Sequence, residues 1–187
     1  MKIDFLKKNW SNILFFGVII LLIIPQTRMP IQVFVQRLIS FSPFEKPENQ
    51  QELLVDFNWE LQSLNDGVVN LSKSKGSVVI INFWATWCPP CVAEMPSFQK
   101  LYDAYESEID FYFVTTETPE VVNKFMKKHN YTLPIYFQTY KAPNKLESEV
   151  LPTTYLISKS GAIVIDEEGT ADWNSKKLRA IINKLLE

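Results

Sequence analysis

The sequence predicts an α/β domain: a central mixed β-sheet flanked by helices, extended by an N-terminal β-hairpin and preceded by a transmembrane helix. Three observations predict it. From residue 53 onward, β-branched runs alternate with stretches at helical spacing, in the order strand–helix–strand and then hairpin and helix. The composition, 47% apolar and 21% charged over 187 residues, is that of one folded domain with an appendage. One unbroken apolar run, ILFFGVIILLII at 13–24, stands apart near the N-terminus.

The tether comes first. Twelve helical residues reach about 18 Å, short of a hydrocarbon core of about 30 Å. Counting from Trp10 lengthens the helix, and Lys2, Lys7 and Lys8 can reach the interface. A secretory signal has the same length, but Pro25-Gln26-Thr27-Arg28-Met29-Pro30 offers no small-residue cleavage pair. The nearest such pair, Ser40-Phe41-Ser42, runs into Pro43. An uncleaved anchor is therefore expected over a cleaved signal or a buried hairpin. No cysteine follows the run, which excludes a lipoprotein. Three lysines against Asp4 keep residues 1–12 cytoplasmic. That makes 13–24 a single pass of the inner (cytoplasmic) membrane, with the folded domain facing the periplasm or the cell exterior. Residues 25–41 read as a juxtamembrane amphipathic helix with Ile31, Phe34, Val35, Leu38 and Ile39 on one face. That face suits either the headgroup layer or packing on a protein surface. Residues 42–52, with Pro43 and Pro47, read as a linker.

The domain then occupies 53–187. Residues 53–61 and 68–71 read as strands around the turn Asn65-Asp66-Gly67. SVVIINF at 77–83 reads as a strand buried on both faces. From Cys88 a helix carries Met95, Phe98, Leu101, Tyr102 and Tyr105 on one side, kinked at Pro96. Strand 109–115, a helix over 119–129 opened by Pro119, and a short strand over 133–137 follow. A hairpin pairs 153–158 with 162–166 around Lys159-Ser160-Gly161, and 175–186 is a terminal amphipathic helix. Helices on both faces of the sheet are expected.

Charge and cysteine count exclude several classes. Nineteen basic against 21 acidic residues leave no positive footprint for nucleic acid. One histidine, His129, and two cysteines neither assemble a four-ligand zinc site nor staple a mini-scaffold. His129 is expected only to favour the dipole at its helix end, and Trp59 and Trp173 to be packing residues.

The chemistry lies in Trp87-Cys88-Pro89-Pro90-Cys91, where a strand runs into a helix. Cys88 falls at the helix N-terminus, whose free N–H groups favour a thiolate. Cys91, nearly one turn on, can reach it, so a disulfide can open and close with little backbone movement. Cys88 would attack a partner disulfide and Cys91 resolve the mixed intermediate. A static staple, a metal site and two inert thiols are the alternatives. A staple over so short a loop constrains little, and a metal would need more ligands.

These residues, with Ile81-Asn82-Phe83-Trp84-Ala85 before them and Glu94-Met95-Pro96 after, resemble the TlpA/ResA-like branch of the thioredoxin superfamily. Leu151-Pro152-Thr153-Thr154-Tyr155 resembles its cis-proline segment. The resemblance covers about 53–187 and implies a thioredoxin-like fold. It implies a membrane-anchored thiol–disulfide oxidoreductase with Cys88, Cys91, Glu94 and Pro152 as catalytic residues. Trp87, Pro89, Leu151 and Thr153 would then meet the partner. Glu94, one turn past Cys91, would trade protons with it, whereas Asn82 stands where ordinary thioredoxins keep an aspartate and cannot relay one. No cofactor beyond the redox-active disulfide Cys88–Cys91 is implied. The implied partners are exported protein thiols and disulfides, including those of cytochrome c maturation, and a transmembrane thiol reductase of the DsbD or CcdA type. Reduction rather than oxidation is the family's habit. The competing reading is a thioredoxin-fold copper metallochaperone, since Cu(I) favours soft thiolates. Such carriers add a histidine and space their cysteines more widely. A peroxide-reducing enzyme would want a separate cysteine.

Overall fold

The computed structural model describes residues 9–187; the basic residues 1–8 of the expected cytoplasmic N-terminus lie outside that range. Two helices come first, α1 (Trp10–Ile23) and α2 (Pro25–Ile39). The sheet follows as β1 (Glu60–Ser63), β2 (Gly67–Asn70), β3 (Val79–Phe83), β4 (Asp110–Thr115), β5 (Ile135–Gln138), β6 (Thr153–Ile157) and β7 (Ile163–Glu168). Between them lie α3 (Pro89–Tyr105) and α4 (Pro119–His129), and α5 (Lys176–Leu186) closes the chain. The strands are ordered β2-β1-β5-β4-β3-β6-β7. β3 pairs in parallel with β4 and antiparallel with β6, so the sheet is mixed as expected.

Every residue of β3 is buried, because both faces of the sheet are covered. The cover is uneven. Met95, Phe98 and Leu101 of α3, Val122 and Met126 of α4, and Leu178 and Ile182 of α5 share one core with Ile80 and Phe113. All three helices therefore lie on one face, not on both as the sequence suggested: β3, β4 and β5 run in one direction, so the right-handed crossovers α3 and α4 return on the same side, and α5, after β7, packs into the same core. The other face packs Val79, Ile81 and Phe83 under Leu54, Phe57, Trp59, Leu71 and Leu146. Two of these sit in short 3₁₀ turns, Leu71–Ser74 and Asn144–Leu146.

Residues 53–59 do not form the long first strand expected of them. The Asp56 carboxylate accepts from the Asn58 N–H at 2.8 Å, and Trp59 N–H bonds to Phe57 O, which turns the chain out of any ladder. Residues 42–52 are no free linker either. Lys46 N–H donates to Val164 O, Ile163 N–H to Glu52 O, and the Lys46 ammonium pairs with Asp166 at 2.9 Å. The stretch is a strap along β7.

α1, with 14 residues, spans about 21 Å. Among the described residues no single helix is long and apolar enough to cross a membrane. α1 and α2 meet at 95°. α2 docks on the domain through Met29 and Val33, which pack on Val92, Ala93 and Phe125, and Arg37 Nε donates to Ala93 O at 3.3 Å. The docked side is not the apolar face the sequence marks out: Phe34, Val35, Leu38 and Ile39 are exposed.

Gly161 locks the strap's far end to the β6–β7 turn. Its φ is +87°, and a Cβ there would stand 2.9 Å from Leu54 O, while Leu54 N–H bonds to Gly161 O at 2.8 Å. Gly161→Ala should cost about 2 kcal/mol or more, adding a left-handed residue to a backbone clash. A fall in the urea midpoint with unchanged slope is the expected result.

Candidate functional site

β3 delivers the site. Its last residues, Asn82 and Phe83, face Phe113 and Val114 on β4 and Thr154 and Thr153 on β6. The chain leaves through Trp84–Trp87, held by Trp84 N–H to Val114 O. The Thr86 N–H and hydroxyl both donate to the Glu117 carboxylate, at 2.5 and 2.7 Å. Glu117 clamps the loop from the end of β4, a role that nothing in its sequence surroundings signals.

Cys88 is the N-cap of α3, with Pro89 and Pro90 opening the helix. Prolines lose nothing there, since the first-turn N–H groups have no intrahelical acceptor. Cys88 and Cys91 form a disulfide, Cα to Cα 5.3 Å, and the Cys91 N–H donates to Cys88 Sγ at 3.2 Å. Cys91 is fully buried, Cys88 nearly so, and the Trp87 indole beside them stands out in solvent. The Leu151–Pro152 peptide is cis. Pro152 and Thr153 are buried and Leu151 is partly so. One turn joins this segment to the dithiol loop: Gly169 N–H donates to Pro152 O at 2.8 Å, and the next hydroxyl, Thr170, to Pro90 O at 3.3 Å.

Glu94 is the residue the fold treats most unusually. It is 2% exposed. Its Oε2 accepts from the Trp173 indole at 2.9 Å and the Ala171 N–H at 3.4 Å, and its Oε1 from the Asn82 amide at 2.9 Å. Burial pushes its carboxyl up to about 8, and the three donors hold it back from rising further. It stays protonated into neutral pH. The second Asn82 N–H goes to Thr154 Oγ1 at 2.8 Å, while Asn82 Oδ1 is buried without a partner. Asn82 relays no proton, yet it ties the carboxyl to the strand that follows Pro152.

Trp173 is more than the packing residue expected. It stacks on Phe98 at 4.9 Å and supplies the carboxyl's strongest neutral donor. No spacing could have indicated it at a sequence separation of 79. Trp59 does pack, its indole bonded to Tyr140 O. The His129 ring lies against Phe125 and Tyr131, and burial, then Lys128 and Arg37, push it below its ordinary value. It is thus disfavoured as the charged dipole partner the sequence suggested. Among the described residues no group of three or more His, Cys, Asp or Glu is placed to hold a metal ion.

The family model for AhpC/TSA matches residues 54–165. The thiol-disulfide oxidoreductase ResA of Halalkalibacterium halodurans is 35% identical over 112 residues, 57% of this chain and 62% of that one. ResA of Bacillus cereus is 32% identical over 132 residues, 69% of this chain and 75% of that one. The crystal structure of StoA from Bacillus subtilis aligns with a TM-score of 0.53 at 26% identity, over 62% of this chain and 90% of that one. The chain spans 55–65% of the length of the first four curated relatives it matches.

Two outcomes follow from the buried carboxyl. The unfolded chain releases this proton near 4.5 and the folded one only near 8, so stability is fully present below pH 4.5 and falls as pH rises to about 8. Glu94→Gln should gain on the unmodified oxidised protein across that window, by up to about 1.4 kcal/mol per pH unit, in urea unfolding at pH 5 and pH 8. Trp173→Phe keeps the stacking and removes a donor. It should raise the Glu94 titration by about 1 pH unit or more, read from the carboxyl infrared band.

Proposed function

The chain belongs to the AhpC/TSA family, and from that premise we propose that it is a membrane-tethered thiol–disulfide oxidoreductase working through Cys88 and Cys91. The observation that carries the reading is a disulfide seated at a helix N-terminus, tied through one turn to a buried cis-proline segment, with a neutral buried carboxyl one helical turn away.

The chemistry balances within the dithiol. The Cys88 thiolate, favoured by the N–H groups of the first turn of α3, attacks a partner disulfide. A Cys88–partner sulfur bond forms as the partner's own bond breaks, and one partner thiol leaves. Cys91 then attacks Cys88 Sγ, closing the intramolecular disulfide and releasing the second thiol. Two electrons and two protons pass to the partner. Cys91 is buried, so its proton needs a local acceptor. Glu94 lies three residues on, and its carboxyl, poised near neutral pH, suits that exchange once ionised. Trp87 presents an apolar surface to the incoming chain, Pro89 and Leu151 would extend that contact, and Thr153, buried with its hydroxyl donating to Val150 O, would support it from beneath.

The direction is reduction of exported proteins, cytochrome c maturation among its uses, with electrons from a transmembrane thiol reductase of the DsbD or CcdA type. The tether is α1 with the residues before it. Leu14, Phe15, Phe16 and Ile20 are all exposed and pack on no core, which supports lipid as their surroundings. The basic N-terminus stays cytoplasmic and the catalytic domain faces the periplasm or the exterior.

Reduced protein should accelerate insulin precipitation by dithiothreitol. Cys88→Ser should return the rate to the uncatalysed level, and Cys91→Ser should accumulate a mixed disulfide with the substrate. Activity persisting in Cys88→Ser would overturn the assignment.

A further inference from the structure

We infer that α2 is a two-faced helix, clamped to the catalytic domain on one side and lying in the headgroup layer of the membrane on the other, so that it fixes the orientation of the dithiol over the bilayer. The inference rests on the tether proposed above and adds what the tether alone does not require, a rigid seat for the domain.

α2 carries two apolar stripes. Met29, Val33 and Arg37, spaced by four, meet α3. Ile31, Phe34, Val35, Leu38 and Ile39 centre about 170° away around the helix. Phe34 is 64% exposed and Leu38 70%. In the strap beyond the helix, Phe41 and Phe44 are exposed as well. Such a stripe, unpartnered and as broad as the docked one is narrow, fits burial at the boundary of headgroups and acyl chains.

The bend selects lipid as the occupant. α1 and α2 are set at 95°, so an α1 that runs along the membrane normal lays α2 in the plane of the surface. No slack separates them from the domain. The strap is bonded to β7, and Asp172 N–H donates to Phe41 O at 2.7 Å. Val92 and Ala93, directly after Cys91, rest on α2, which puts the first turn of α3 about one helix diameter, about 10 Å, from the surface. A stable dimer needs about 800 Å² on each partner, more than five side chains of one short helix supply.

Full-length protein with Cys88→Ser and Cys91→Ser would carry a nitroxide at Leu38→Cys, at Val18→Cys in α1, or at the exposed Lys100→Cys. In vesicles of phosphatidylethanolamine and phosphatidylglycerol, oxygen should relax the Leu38 and Val18 labels several-fold more, and a water-soluble nickel chelate several-fold less, than the Lys100 label. A shielded Val18 label with a water-exposed Leu38 label would overturn the seat and leave the tether standing. A water-exposed Val18 label would overturn both. Dipolar broadening between Leu38 labels in detergent would mean that a second copy covers the stripe, and would overturn the assignment to lipid.

Discussion

β3 has no solvent face, and the rest of the site follows from that constraint. A five-residue strand buried on both sides must pair on both edges, and it does so with β4 in parallel and β6 antiparallel. The antiparallel neighbour begins where β3 ends, so the segment holding Pro152 opens beside the loop that holds Cys88. The parallel neighbour demands a crossover, and α3 is that crossover. Cys88 caps a helix because the strand before it must be crossed over.

Glu94 shows what the same constraint costs. A carboxyl inside the core loses its hydration, and three donors do not fully replace it, so its proton stays bound far above the ordinary carboxylate range. An apolar residue in its place would pack without that penalty. Its donors come from Asn82 on β3 and from Ala171 and Trp173 in the segment after β7, so the carboxyl also fastens α3 to two separate parts of the chain.

Local signals were read correctly where the physics is local. The strand-to-helix passage at Cys88, the hairpin around Gly67 and the continuation of α3 through Pro96 each depend on neighbours in sequence. Long-range partnerships were not legible. Trp173 and Glu117 earn their roles by contacts across 79 and 31 residues. The first strand misled because 53–59 has a strand's apolar content, while the turn made by Asp56 and Asn58 decides its path. In α2 the periodicity located a helix and its broad stripe, but docking chose the narrow stripe, where Val33 meets the small Ala93.

The strap has a bearing on how the molecule behaves in a crowded compartment. By bonding to Val164 and Ile163 it occupies the outer margin of β7, a place where a foreign strand would otherwise add itself. Among the described residues the opposite margin, β2, is left open, and it is four residues long with a glycine at its head. So short a template gives an unfolded neighbour little to grip. Under the function proposed above, the chain would offer unfolded, half-oxidised partners its sulfurs while denying them its sheet.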